Sequence, residues 1–431
     1  MADYFYYYTY QPYVSKGGIK MKKSNLFNKD FTLVVIGQII SLFGNSILRF
    51  ALPLYLLKET GSATIFGIVT ACSFLPMIVL SILGGVLADR VNKKNIMVFL
   101  DFLTAIVILI FTIALGKLLI IPLFIFILMI LYGIQGAYQP SVQASIPFLV
   151  KEESIVSANA VINQVNALAN LLGPILGGIL FSILGLYPIL ILSIICFTFS
   201  AILEIFINIP YEKQITNLSI FKIVKKDLLE SLNFIRKEKP ILFKVMILLS
   251  CFNLFLSSML IIGLPVIIIE ILEISDRLFG YSQGALAAGG LFGGILAGVL
   301  GDKLNIKKSY IILLLCSIIV IPMSFALMLN LSSFISYIII TVCSFFMMAL
   351  ATTFSIQIMS FVQIQTPSHI VGKVISCLLA LAMCAQPVGQ ALYGFLFDKF
   401  IYYPWVIILA AALISCIISI YSKSIFSSFK K

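Results

Sequence analysis

Gln38, Ser41, Asn45 and Arg49 stand three, four and four residues apart in the first long apolar run, so a helix presents them on one face. Asn159, Asn163, Asn166 and Asn170 form a second stripe of this kind. Tyr132, Gln135, Gln139 and Gln143 form a third, with Pro140 placed to twist its last turn. The second half of the chain adds chiefly Asn253, Gln357, Gln386 and Gln390. Amides and a guanidinium bind; they do not break bonds. No nucleophile, metal cluster or phosphate loop accompanies them, and the lone His369 falls in an inner loop, which speaks against an enzyme. Polar groups are costly in lipid and turn toward protein or a wet cavity. Three stripes in one half of the chain favour a cavity wall, with interhelical hydrogen bonding as the rival reading for any single residue.

Arg49 is the sharpest of these groups. A run from Phe31 to Leu57 is centred near Gly44, which puts Arg49 about 7 Å toward the outer side at ~1.5 Å per residue. Two readings stand: a cavity role, binding an anionic group or holding a carboxylate, or a side chain that snorkels to the outer surface. Asp101 and Glu204 read as lying toward the inner ends of their runs, and Glu270, Glu273 and Asp398 at outer ends. The expectation is a central region without an acid.

What must position these groups is a bilayer. The 431 residues are 61% hydrophobic and 11% charged, too little polar side chain to cover a soluble surface. Apolar runs of ~20 residues cross a membrane as helices. Such runs recur at about 31–57, 63–87, 95–116, 118–140, 155–180, 186–208, 241–269, 281–301, 308–329, 334–357, 371–397 and 402–422. They are continuous rather than alternating, which argues against a barrel. The fold class is all-α integral membrane, with twelve transmembrane helices in two six-helix bundles. Of the 29 Lys and Arg, Lys58, Lys117, Arg277 and Lys399 fall outside, Arg49 falls within a span, and the rest fall on the inner side or in the tails. That asymmetry sets both termini in the cytoplasm of a cell-membrane protein. It also explains the +12 charge as topology and anionic-lipid contact rather than nucleic-acid binding.

The expected organisation is a disordered N-terminal tail (1–30), a first bundle (31–208), a basic linker (209–240), a second bundle (241–424) and a short tail (425–431). In the linker, Ile220, Val224 and Leu228 recur every four residues, as in an amphipathic helix lying on the inner leaflet. All eight cysteines sit within spans without paired spacing, which argues against disulfide and zinc readings. Met1–Lys20 carries six tyrosines and no signal-peptide pattern. Met21, before Lys22 and Lys23, would be a natural start, and whether the first twenty residues are native stays open.

Two loops half the chain apart repeat one pattern, GGVLADRVNKKN at 84–95 and AGVLGDKLNIKK at 297–308. A membrane hairpin repeated at that spacing points to a doubled multi-helix unit, the usual architecture of secondary transporters. Gly85, Asp89, Arg90, Asn92, Lys93 and Lys94, echoed by Asp302 and Lys303, resemble the loop motif of the major facilitator superfamily over essentially residues 31–424. The resemblance implies that Asp89 latches the inner side by sitting against a helix N-terminus of the other bundle, where a carboxylate is favoured. Asn92 replaces the family's last glycine, and a left-handed turn is the expected reason. In the fifth run Gly173, Pro174, Gly177 and Gly178 match the GPxxGG pattern of the family's exporters, implying a helix bend and close contact. Pro387 follows Pro174 at the same spacing as the two loops. Segments 37–47, 139–154 and 371–390 resemble the macrolide-efflux branch. The family's fourth-helix arginine is absent here, where Tyr132 precedes Gln135 and Gly136.

The resemblance therefore implies a monomeric, cofactor-free exporter of a lipophilic or amphipathic small molecule, driven by proton antiport. The candidate cavity residues are Gln38, Asn45, Arg49, Gln135, Gln139, Asn163, Asn166, Asn170, Gln357 and Gln386. Siderophore or metabolite export, nutrient import, and a non-transporting scaffold or sensor are the alternatives.

Overall fold

The computed structural model describes residues 26–210, 228–300, 306–367 and 370–427, with side chains at 82, 85–90 and 427 outside that description. Among the described residues are twelve helices long and apolar enough to cross a membrane. They are α1 (Lys29–Thr60), α2 (Ala63–Arg90), α3 (Lys93–Ala114), α4 (Ile120–Leu149), α5 (Ile155–Leu184) and α6 (Leu186–Ile205). The second six are α7 (Pro240–Ile271), α8 (Asp276–Leu300), α9 (Ile306–Met328), α10 (Ser333–Gln365), α11 (Val371–Lys399) and α12 (Pro404–Phe426). Two six-helix bundles result.

Local chemistry sets several of these ends. Asn28 caps α1 by accepting from Phe31 N, and Gly61 ends it in the left-handed conformation, φ 56°, returning its N–H to Leu57. Asn92 corrects one expectation: at φ −58° it makes no left-handed turn but caps α3, its side chain accepting from Lys94 N. α4 continues past Pro140 to Leu149, and α10 runs to Gln365, both beyond the apolar stretches. A proline within a helix removes one hydrogen bond without ending a helix that its neighbours hold in place. α7 is interrupted by π turns at Asn253–Ser257 and Val266–Ile271. The Ser258 hydroxyl, at the end of the first π turn, lies within hydrogen-bond distance of the carbonyls of Asn253 (2.7 Å) and Gln386 (3.0 Å) and so ties α7 to α11.

Side-chain faces sort into lipid and protein. On α3, Phe99, Ile106, Ile110 and Ile113 are exposed, whereas Asp101, Thr104, Ile108 and Phe111 are buried. The apolar cores show how the bundles meet. One core joins residues of both bundles, from Ile47, Phe66 and Phe181 to Leu264, Phe279 and Phe397. Toward the inner ends two separate cores replace it, one around Phe31, Met97 and Ile146, the other around Ile235, Val245 and Phe361. The bundles are fused on the outer side and packed separately on the inner side, as in a carrier closed to the outside.

Small residues permit the outer contact. A Cβ on Gly178 of α5 would fall 2.7 Å from Asp276 O of α8, and one on Gly280 of α8 would fall 2.7 Å from Pro174 O. On the second seam, a Cβ on Gly67 of α2 would lie 2.5 Å from Gln390 O of α11. Gly67 and Gly280 are separated along the chain as the two repeated loops are, so the α5–α8 and α2–α11 seams are related by the duplication. Gly173 and Gly177 serve a different neighbour, lying against Ser46 and Phe50 of α1.

Candidate functional site

Arg49 organises the polar centre. Its guanidinium donates to Gln135 Oε1 at 3.2 Å and lies 4.9 Å from the centroid of the Tyr132 ring, a cation–π distance. A charge carried by α1 thus arrives beside the α4 position where the family pattern has an arginine. Arg49 lines two cavities. The smaller, about 20 Å³, is enclosed in the first bundle by residues that include Ser41, Asn45, Asp101, Gln135, Tyr138 and Gln139. The larger, about 270 Å³, lies between the bundles, with Arg49, Thr70, Asn170 and Gln283 as its main polar points and Phe50, Leu260, Leu264 and Phe279 among its apolar ones.

A third cavity of about 540 Å³ lies in the second bundle. Leu260, Ile261 and Leu286 line both it and the inter-bundle cavity, so the two adjoin. Its walls are soft and apolar: Met347, Met348, Met359 and Met383, with Phe252 and Phe354. Thioether side chains adapt to many shapes. The scarcity of polar residues in the second half was visible in the sequence; that methionines from α10 and α11 converge there was not.

The expected residues divide by location. Asn45, Arg49, Gln135 and Gln139 meet at the small cavity, and Asn170 reaches the inter-bundle one. Asn163 is exposed and lines none of the three cavities, while Asn166, like Asn159, turns its amide back to a carbonyl of its own helix. Gln386 is buried where α11 meets α7, and Gln357 is enclosed with its amide unpartnered. Gln38 is fully buried and donates to Tyr138 Oη at 2.6 Å, away from the cavity walls.

Asp101 and Glu204 lie on the inner side, as their positions in the sequence suggest, yet they reach further into the polar centre than expected. Asp101 is 2% exposed and lines the small cavity with Arg49, and Glu204 is wholly buried against Tyr138. Each acid stands in an apolar run, and its cost in lipid was the available signal. In the loop motif, α2 stays helical through Gly85, Asp89 and Arg90, whose side chains lie outside the described residues, as do Asp302 and Lys303 entirely. Lys93 is buried at the start of α3 with its Nζ 4.6 Å from the Phe148 ring centroid, and Lys94 is half-buried. Pro174 and Pro387 both sit inside unbroken helices.

Two fused six-helix bundles with a cavity between them are the architecture of a membrane carrier. The chain matches the family model of the Major Facilitator Superfamily over residues 34–376 and belongs to that superfamily. It is a secondary transporter that moves small molecules by alternating access under an ion gradient, and not an enzyme. It is similar to macrolide efflux protein A of Streptococcus pyogenes, 24% identical over 292 residues that span 65% of this chain and 69% of that protein. Among solved structures, a nucleoside transporter matches with TM-score 0.72 at 13% identity, covering 93% of this chain and all of that one. A bacterial metal transporter matches with TM-score 0.65 at 17% identity, over 94% of this chain and all of that one. At those identities the structural likeness establishes the fold.

Proposed function

We propose that the chain exports lipophilic or amphipathic small molecules of the macrolide type in exchange for protons. The observation that carries this reading is the paired compartment: a polar end at Arg49, Asn170 and Gln283 that adjoins a methionine-lined apolar end. A molecule with one polar edge and a large apolar body fits that division. A sugar or nucleoside calls for denser hydrogen-bonding groups than these walls offer. The GPxxGG residues of α5, of which Pro174 and Gly178 stand on the outer seam, and the similarity to macrolide efflux protein A support export as the direction. Arg49 favours a second reading, an anionic cargo such as a siderophore, because a guanidinium binds carboxylates by its planar fork.

Purified protein in liposomes tests the proposal. A pH gradient, acidic on the side equivalent to the cell exterior, drives labelled macrolide toward that side. Proton-coupled movement in the opposite sense, or of a hydrophilic nutrient in place of the macrolide, refutes it. A growth-inhibition screen of a susceptible host expressing the chain, across macrolides, dyes and siderophores, then separates the two cargo classes.

A further inference from the structure

The interior of the first bundle holds two acids that cargo binding leaves unused. Ser41 Oγ donates to Asp101 Oδ1 at 3.2 Å. Gln38 Nε2 donates to Tyr138 Oη at 2.6 Å, and Tyr138 Oη donates to Glu204 Oε1 at 2.7 Å. Gly37 of α1 lies against Glu204 and Ser200, and the Ser200 hydroxyl donates to the Gly37 carbonyl at 3.1 Å. Four helices, α1, α3, α4 and α6, thus close one polar pocket. Three of its buried oxygens have no donor: Gln38 Oε1, Asp101 Oδ2 and Glu204 Oε2. Neither acid has a Lys or Arg at ion-pair distance among the described residues.

Burying a carboxylate without a cation is expensive, and two in one pocket repel. The missing donors and the missing positive charge are remedied by the same particle. We infer that Asp101 and Glu204 together form the proton-binding site that couples the gradient to transport. The pair takes one proton from water reached in the outward-open state, forming an O–H bond on a carboxyl oxygen. That bond breaks when the proton leaves to cytoplasmic water, and no other bond changes. Both acids lie toward the inner side, Glu204 one residue from the end of α6, which suits release there.

The geometry also links the proton to cargo. Asp101, Ser41 and Tyr138 face Arg49 across the small cavity, whose volume of about 20 Å³ admits a single water. Arg49 is part of the wall of the inter-bundle cavity too. The charged or titratable groups facing the pair are Tyr138 from α4 and, across that cavity, Arg49 from α1; α3 and α6 supply the acids themselves. An ionised pair draws Arg49 toward Asp101 and clears the inter-bundle cavity for a neutral or basic amphipath. A protonated pair releases Arg49 toward that cavity, where its charge displaces such a cargo. Proton and cargo then exclude one another, as exchange requires; this last step rests on the export reading above.

Two measurements test the site separately from its use. Infrared spectra of the full chain in lipid, taken in H2O and D2O across pH, should show a carboxylic-acid carbonyl band that shifts in D2O and vanishes at alkaline pH. Asp101→Asn and Glu204→Gln should each weaken it or shift its frequency and midpoint, the double variant should remove it, and Tyr138→Phe should keep it with a displaced midpoint. In liposomes the two acid variants should lose pH-driven macrolide accumulation by about tenfold or more, and their macrolide counterflow, lowered because a neutral amide mimics the protonated acid, should no longer change with pH. A wild-type band untouched by either substitution, or no such band, overturns the inference even if transport is proton-driven. A sodium gradient that sustains accumulation at equal pH assigns the pocket to sodium and overturns it likewise. A band that behaves as stated in a protein that moves no macrolide upholds the proton site and defeats the export reading.

Discussion

Asp398, in the last turn of α11, belongs to the second bundle, yet its carboxylate caps a helix of the first. Oδ1 accepts from Ala63 N at 2.7 Å, and Oδ2 accepts from Thr64 N at 2.9 Å and Ser62 Oγ at 2.7 Å. These amides open α2 and have no partner within their own helix. Because the contact spans the bundles, it exists only while the outer side is closed, so its whole free energy enters the balance between conformations. Removing a helix cap costs about 0.5–2 kcal/mol. Asp398 is half-buried, so we take about 1 kcal/mol, a shift of about fivefold toward outward-open in Asp398→Ala. Asp398→Asn keeps an accepting oxygen and loses only the ionic part, so its shift should be smaller, a few tenths of a kcal/mol. Spin labels at Glu59 and Tyr402, both exposed on the outer side, in a background with the native cysteines replaced, read the populations by pulsed electron resonance. An unchanged distance distribution in Asp398→Ala, with wild-type flux, would refute the latch.

Arg49→Gln should preserve expression and impair pH-driven transport, and Arg49→Lys should restore it only in part, because an ammonium lacks the planar fork set on Gln135 and Tyr132; full activity in Arg49→Gln would limit Arg49 to packing the cavity wall. Gly280→Ala places a methyl 2.7 Å from Pro174 O and should cost about 1–3 kcal/mol of outer closure, seen as greater outward-open population and slower counterflow. Asp89→Asn should move the same spin-label distances the opposite way if the loop motif latches the inner side, and no movement would leave Asp89 a loop marker. A cysteine at Lys307 should react with an impermeant maleimide only from the cytoplasmic side, and labelling from outside intact cells would reverse the topology.

The spans were legible because a bilayer demands unbroken apolar length, and no other setting tolerates so much of it. Their inner ends were not. α4 and α10 continue as helix beyond the hydrocarbon, where hydropathy falls but backbone hydrogen bonding does not. Asn92 was misread because one residue type suits both a left-handed turn and a helix cap, and only the backbone angle decides. Polar stripes on single helices could be seen from spacing alone, and Asn45, Arg49, Gln135 and Gln139 do gather at one cavity. The acid pair could not be seen this way. Asp101 and Glu204 sit on α3 and α6, and periodicity within one helix carries no information about which faces of two helices meet.

The two outer seams share a duplication but close by different chemistry. Asp276, in the first turn of α8, is the counterpart in the second half of Ala63 at the start of α2. α8 thus carries its own acid, paired with Lys58 of α1 at 2.9 Å, whereas α2 borrows Asp398 from α11. Lys58 is 45% exposed, and such an ion pair contributes little and is screened by salt; the backbone cap at Asp398 is less open to screening. Raising the salt should therefore loosen the α5–α8 seam before the α2–α11 seam, although the same glycine contacts hold both. The Asp398 cap is worth on the order of 1 kcal/mol and the exposed ion pair less, while one elementary charge crossing ~100 mV supplies about 2.3 kcal/mol. A carrier whose outer side were sealed by strong, fully buried ion pairs would stall, because its gradient could not reopen it. These weak, dissimilar latches keep closure within reach of the free energy that drives the cycle.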